Sequence, residues 1–140
     1  MPGYSGTPLP KKLGIKDGFR VALVRTPPDV KAELQAAFDS CSLLTLGRSE
    51  LDFVFLFAKS NAELERDISL AARALAPAGM LWIAWPKKSS GVKTDLTENM
   101  VRDCGLAVGL VDIKVCAVTD IWSGLKFVIP VKNRPRTKGA

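Results

Sequence analysis

The chain has 140 residues, of which 47 % are apolar and 24 % charged, with a formal net charge of +6. That composition supports one hydrophobic core and excludes an intrinsically disordered chain, which combines low hydrophobicity with high net charge. Histidine is absent, which excludes a Ser-His-Asp triad, a Cys-His pair and every histidine-ligated metal site within this sequence.

Met1 to Pro8 shows neither a basic n-region nor an apolar core, so no secretory signal is expected. No apolar run approaches the roughly 18 residues of a membrane span. Pro8 to Leu13 suits a short helix closed by Gly14. Leu9, Leu13 and Ile15 would dock an arm over residues 1–18, with Tyr4, Ser5 and Thr7 near the body. The arm reads as packing, with a lid over a crevice as its functional alternative.

The turn Lys16-Asp17-Gly18 leads into a first strand, Phe19 to Val24. Thr26-Pro27-Pro28-Asp29 breaks it and opens a helix. There Val30, Leu34, Ala37, Phe38 and Cys41 form one apolar stripe. Leu43 to Leu46 is a short second strand. The third, Leu51 to Ala58, is apolar on both faces for most of its length, as a parallel strand buried between two layers should be. Ser60-Asn61-Ala62-Glu63 is a capping box, followed by the stripe Leu64, Ile68, Ala71, Ala72 and Leu75. Pro77-Ala78-Gly79 is the expected stop.

Met80 to Trp85 is the fourth strand, with Trp82 and Trp85 pointing to opposite faces. A loop over 86–95 leads to Asp95-Leu96-Thr97-Glu98, a start signal for a helix with Leu96, Met100, Cys104 and Ala107 inward and Gly109 as its cap. Two β runs, 110–118 and 125–131, joined by the turn 119–124, read as an antiparallel hairpin. Pro130 marks a strand end. The tail 133–140 is expected to be disordered, and 1–132 to form a single domain.

The order βαββαβαββ implies an α/β, three-layer, mostly parallel sheet with an antiparallel C-terminal hairpin. That ending resembles the Rossmann-like fold of S-adenosylmethionine-dependent methyltransferases. Asp52-Phe53-Val54 resembles a strand motif of that family, and Leu75-Ala76-Pro77-Ala78-Gly79-Met80-Leu81 resembles its helix-to-strand connection. The resemblance implies a Gly-rich turn after the first strand and a ribose-binding acid after the second. Here the first position reads Val24-Arg25-Thr26-Pro27-Pro28, without glycine and with two residues lacking an N–H. Leu46-Gly47-Arg48-Ser49-Glu50 offers only Glu50. The motif is degenerate, and no cofactor is expected.

A second resemblance spans nearly the whole chain. Tyr4 to Leu9, Lys11 to Ile15, Trp85-Pro86-Lys87-Lys88, Asp95 to Glu98, Gly109 to Asp112 and Trp122-Ser123-Gly124-Leu125 are similar to the bacterial domain of unknown function 3052 family. It implies a bacterial, cytoplasmic setting and carries no activity.

Ligands of open α/β sheets bind outside the carboxyl ends of the strands. Three loops belong there: 25–29, 58–61 and 86–95. In the last, Lys87, Lys88 and Lys93 supply charge, Ser89, Ser90 and Thr94 supply hydroxyls, and Gly91 supplies backbone freedom ahead of a helix N-terminus. With Arg25 they form a candidate anion site. The bland reading is a solvated loop whose Thr94 or Asp95 caps its own helix. Trp122, in the expected turn, is a candidate interface residue for a homodimer through the hairpin, or folds back on its own strand.

Residues 1–16 carry +3, residues 126–140 carry +5, and the body between them carries −2. The basic excess therefore lies at the ends, which suits solubility better than nucleic-acid binding. Cys41, Cys104 and Cys116 lie in apolar stretches and read as core residues, not metal ligands. No catalytic residue stands out. Lys87 or Lys88 as base and Asp52 or Asp120 as acid are equivalent on spacing alone. The sequence thus reads as a cytoplasmic binding or interaction module, with an anionic small molecule as its candidate ligand. A small-molecule enzyme, a methyltransferase with an altered cofactor site, is the alternative. A nucleic-acid accessory protein is the weaker one.

Overall fold

The apolar run at 51–57 becomes the strand around which the sheet is assembled. The structure is a computed structural model in which residues 7–134 are described. Its elements are α1 (Leu9–Leu13), β1 (Arg20–Val24), α2 (Pro28–Phe38), β2 (Ser42–Leu44), β3 (Leu51–Phe57), α3 (Asn61–Ala74), β4 (Leu75–Pro86), α4 (Glu98–Ala107), β5 (Val111–Ala117) and β6 (Trp122–Val128). After α1 this is the expected βαββαβαββ. The strand order is β2-β1-β3-β4-β6-β5. The first four are parallel, and β6 runs antiparallel between β4 and β5. The last strand is therefore inside the sheet, and β5 is the edge.

Alternation along β3 divides the core. Val54 and Leu56 face α3 and α4, where they meet Leu81, Ile83, Leu125 and Phe127. Phe53, Phe55 and Phe57 face α1 and α2, with Trp82, Leu34 and Phe38. All of these are at most 2 % exposed, and burying each large side chain contributes about 1.5–3 kcal/mol. Trp82 and Trp85 join opposite clusters, as their odd spacing predicts.

The N-terminal arm is a packing element. A five-residue helix has no stability of its own. It is held because Leu9 and Leu13 are fully buried and because the Trp82 indole N–H donates to the Leu13 carbonyl at 2.9 Å. Gly14 ends the helix in the left-handed region, at φ 85°. The lid reading fails for the described part of the arm. Met1 to Gly6, with Tyr4 and Ser5, and the tail from Pro135 lie outside the described residues. At the start of the expected tail, Asn133 N–H donates to Pro130 and Arg134 Nε donates to Ile129, both at 2.8 Å.

Three local expectations are corrected. First, α3 ends at Ala74 and Leu75 already pairs with Leu51, so the Pro77-Ala78-Gly79 stop is absorbed into an irregular start of β4. Gly79 permits this, since a Cβ there would lie 2.5 Å from the Leu51 carbonyl oxygen. Second, Thr97 rather than Asp95 caps α4, accepting the Met100 N–H at 3.2 Å. The fully buried residues of α4 are Val101 and Gly105; Cys104 is half-buried against the same cluster, Met100 is half-buried and Ala107 is exposed. The helix rotates because Gly105 lies against the Phe127 ring, where a Cβ would overlap it. Third, the hairpin turn is shorter, and Trp122, Ser123 and Gly124 belong to β6. The Ser60–Glu63 capping box holds: Ser60 Oγ accepts the Glu63 N–H at 3.2 Å.

Trp82→Phe keeps an aromatic ring but loses the indole's second ring and its donor, leaving the Leu13 carbonyl without its partner and a cavity in the core. The expected loss is about 2–4 kcal/mol in urea unfolding, together with faster proteolysis of the arm.

Candidate functional site

The chain leaves β1 toward β2 on one side and leaves β3 toward β4 on the other. Their carboxyl ends therefore diverge, and a crevice opens at this switch point. It is a cavity of about 590 Å³. Its walls come from the β1–α2 turn (Arg25 to Asp29), the end of β3 (Phe57 to Lys59), Glu63, Val92, and Ile121 and Trp122 of the hairpin. Phe57 and Trp122 meet edge to face, with ring centroids 4.9 Å apart. They continue an aromatic column of Phe53 and Phe55 down β3.

Arg25 dominates the polar side. Its φ of 54° is left-handed, a conformation that costs an L-residue about 1–2 kcal/mol. Its Nε donates to the Phe57 carbonyl at 2.9 Å. Its Nη2 lies 2.7 Å from Asp67 Oδ2 and its Nε 3.9 Å from Glu63 Oε2. The guanidinium thus ties the β1 turn to β3 and α3 across the mouth. Thr26 Oγ1 beside it is buried without a hydrogen-bond partner. Lys59 and Asp29 complete the charge at the rim, two basic and two acidic side chains with Arg25 and Glu63.

The expected anion loop is arranged differently from its sequence reading. The Lys87 N–H donates to the Ile121 carbonyl at 2.7 Å. Residues Lys88–Ser90 form a 3-10 turn ended by Gly91 at φ 77°. Ser90 Oγ donates to the Lys87 carbonyl at 2.6 Å and Thr94 Oγ1 to the Lys59 carbonyl at 2.6 Å. Asp95 Oδ1 accepts the first N–H of α3, from Asn61, at 2.8 Å. These hydroxyls hold the loop together, and Lys88, Ser89 and Lys93 point outward, exposed. Of the candidate residues, the crevice brings together Arg25 and Trp122. Lys87, Lys88, Ser89, Ser90, Gly91, Lys93 and Thr94 do not line it, and Val92 between them does.

Trp122 is 8 % exposed and lies on Phe57, so it is crevice wall and not an exposed turn residue. The exposed apolar residues of the hairpin are Ile113, Val115 and Ile121. A dimer contact along this edge would rest on those of β5. Asp52 is committed to the fold, accepting the Arg20 N–H at 2.8 Å. Among the described residues no three His, Cys, Asp or Glu side chains converge as a metal site requires, and no helix is long and apolar enough to cross a membrane.

S-adenosylmethionine, which the fold resemblance implies, does not fit this turn in the usual way. Close approach of a methionine moiety needs bare backbone after β1. Arg25 fills that place with a side chain anchored on Asp67, and Pro27 and Pro28 offer no N–H. After β2, the nearest acid is Glu50, exposed and itself at φ 57°.

No family model matches the chain, and no curated protein matches it in sequence. Solved structures do match in fold. A S-adenosylmethionine-dependent methyltransferase from Aquifex aeolicus superposes with a TM-score of 0.59 at 14 % identity, over 85 % of this chain and 87 % of that one. A TehB-like methyltransferase from Corynebacterium glutamicum gives 0.54 at 10 %, over 86 % and 85 %. Magnesium protoporphyrin IX methyltransferase from Synechocystis, with bound S-adenosylhomocysteine, gives 0.55 at 13 %, over 86 % and 78 %. The chain has the methyltransferase-like fold.

Two outcomes are expected. Arg25→Met leaves Asp67, whose side chain is 17 % exposed, without its cation, and thermal unfolding should show a loss of about 1–2 kcal/mol. Burial raises the thiol pKa of Cys41, Cys104 and Cys116 above the usual value. An aromatic disulfide reagent at neutral pH should therefore react slowly with the native protein and fast in urea.

Proposed function

We propose that this chain is a small-molecule-binding protein on a methyltransferase-like fold, with the crevice between the ends of β1 and β3 as its site. The observation that carries the reading is the cavity of about 590 Å³ at the switch point, floored by Phe57 and Trp122 and rimmed by balanced charge. Its size and its mix of an apolar floor with a few polar groups suit a small organic ligand. The Trp122 and Phe57 rings offer faces and edges to a flat apolar group. Thr26 Oγ1, buried without a partner, offers it a hydrogen bond.

The second reading is an enzyme: a methyltransferase with an altered cofactor site. The structural likeness favours this alternative over a non-catalytic module, because the neighbours are methyltransferases. Methyl transfer needs positioning more than it needs a nucleophile on the protein, so the lack of a nucleophile–base pair does not count against it. What counts against it is the Arg25 turn. The resemblance to the domain of unknown function 3052 family, which no family model bears out, favours neither reading.

Native mass spectrometry of freshly purified protein, with calorimetric titration of S-adenosylhomocysteine, separates the two. The binding reading expects a retained small molecule at one copy per chain, lost in Trp122→Ala, and no heat from S-adenosylhomocysteine. Micromolar binding of S-adenosylhomocysteine supports the enzyme. A chain with no retained molecule and no response to either variant or ligand removes the crevice as a site.

A further inference from the structure

We propose that the paired lysines of the closing hairpin, Lys114 and Lys126, form a phosphate-binding site with the turn of the N-terminal arm packed on them, on the α1 face of the sheet. This site is separate from the crevice and independent of the function proposed there. Lys126 sits on β6, an inner strand, in register with Trp82 of β4 on one side and Lys114 of β5 on the other. Two like charges directly opposite across strands destabilise a sheet. Here one of them, Lys126, is also half-buried, beneath the turn at Gly14: a Cβ on that glycine would lie 4.0 Å from the Lys126 Nζ.

Lys114 Nζ donates to the Lys12 carbonyl at 3.2 Å, and Lys12 Nζ donates to the Ala117 carbonyl at 3.0 Å. These bonds pin the arm to β5 beside Lys126. Among the described residues, no carboxylate forms an ion pair with Lys16, Lys114 or Lys126. Asp17 accepts the Ser40 hydroxyl at 2.9 Å, and Asp112 pairs with Arg102 at 2.9 Å across the other face. Burial, then Lys114 and Lys16, push the Lys126 ammonium below its usual pKa.

An arrangement of this kind lowers its energy by taking up an anion. The cluster is compact, one turn and two adjacent strands, and not a stripe along the surface. That shape matches a small, multiply charged oxyanion better than the extended backbone of a nucleic acid. Ammonium groups bind phosphate as point charges without demanding planar geometry.

The test is thermal unfolding of the full chain against inorganic phosphate, with sodium chloride at equal ionic strength as control. Wild type should show a saturable rise in Tm of about 3 °C with phosphate and less than half of that with chloride. Lys126→Met should raise Tm in phosphate-free buffer and weaken the phosphate response at least ten-fold. Trp122→Ala should leave the response unchanged, which keeps this site's failure distinct from the crevice's. If Lys126→Met does not fold, Lys114→Gln, on an exposed side chain, should show the same weakening. Equal effects of chloride and phosphate, or a wild-type response in the lysine variants, overturn the proposal. So does tight binding of a short DNA duplex that phosphate fails to displace and Lys126→Met abolishes.

Discussion

The Trp82 indole N–H is buried in the middle of the sheet, where it has to find an acceptor from its own chain. Leu13 supplies it at 2.9 Å. Without that bond a strong donor would face an apolar layer, at a cost of roughly 1–3 kcal/mol. With it, a helix too short to exist alone becomes the cover of the sheet over β4 and β6. Helix α2 covers the β1–β3 half of the same face, through Val30, Leu34 and Phe38. The third layer is therefore composite, and the residues before β1 belong to the core.

The insertion of β6 between β4 and β5 organises the rest of that face. One side of β6 carries, in steps of two, Trp122, Gly124 and Lys126. Trp122 closes the crevice on Phe57. Gly124 leaves room for Trp82, whose ring carbon would lie 3.2 Å from a Cβ there. Lys126 emerges beside the arm. A single strand face thus runs from the apolar floor of the crevice, past the buried indole, to the cluster of lysines. The two candidate sites share a scaffold and differ in chemistry because Trp122 stands at one end of this strand face and Lys126 at the other.

At the mouth of the crevice, the fold and its local chemistry diverge. The sheet order and the antiparallel insertion are those of methyltransferases. The β1 turn is not a bare-backbone turn, because Arg25 takes the left-handed conformation that a glycine would adopt freely. Its guanidinium compensates by joining three partners on β3 and α3. Strain at such a position persists where surrounding contacts over-determine it, and these cluster at functional sites. The crevice lies where sheets of this order bind ligands, and a side chain, not bare backbone, closes its β1 turn.

The sequence alone determined the kind and order of the elements, which depend on local periodicity. The doubly apolar run at 51–57, the opposite faces of Trp82 and Trp85, and the capping box at Ser60 and Glu63 all follow from spacing within a few residues. So did the loops at the strand ends, where ligands of such sheets lie. What tertiary structure decided was which segment meets which. The rotation of α4 depends on Gly105 meeting Phe127, and the cap at Thr97 rather than Asp95 on Asp95 being taken by Asn61. The pairing of Arg25 with Asp67 joins residues far apart in the chain, and no spacing rule encodes it. Phe57 and Ile121 had no signal as site residues, since an apolar strand end looks like core until the neighbouring strand diverges. Trp122 looked like a turn residue because the hairpin's length is set by its register with β4, a partner that local sequence does not name. Local propensity selects the elements, and the energy of long-range pairing selects their edges, their rotation and their sites.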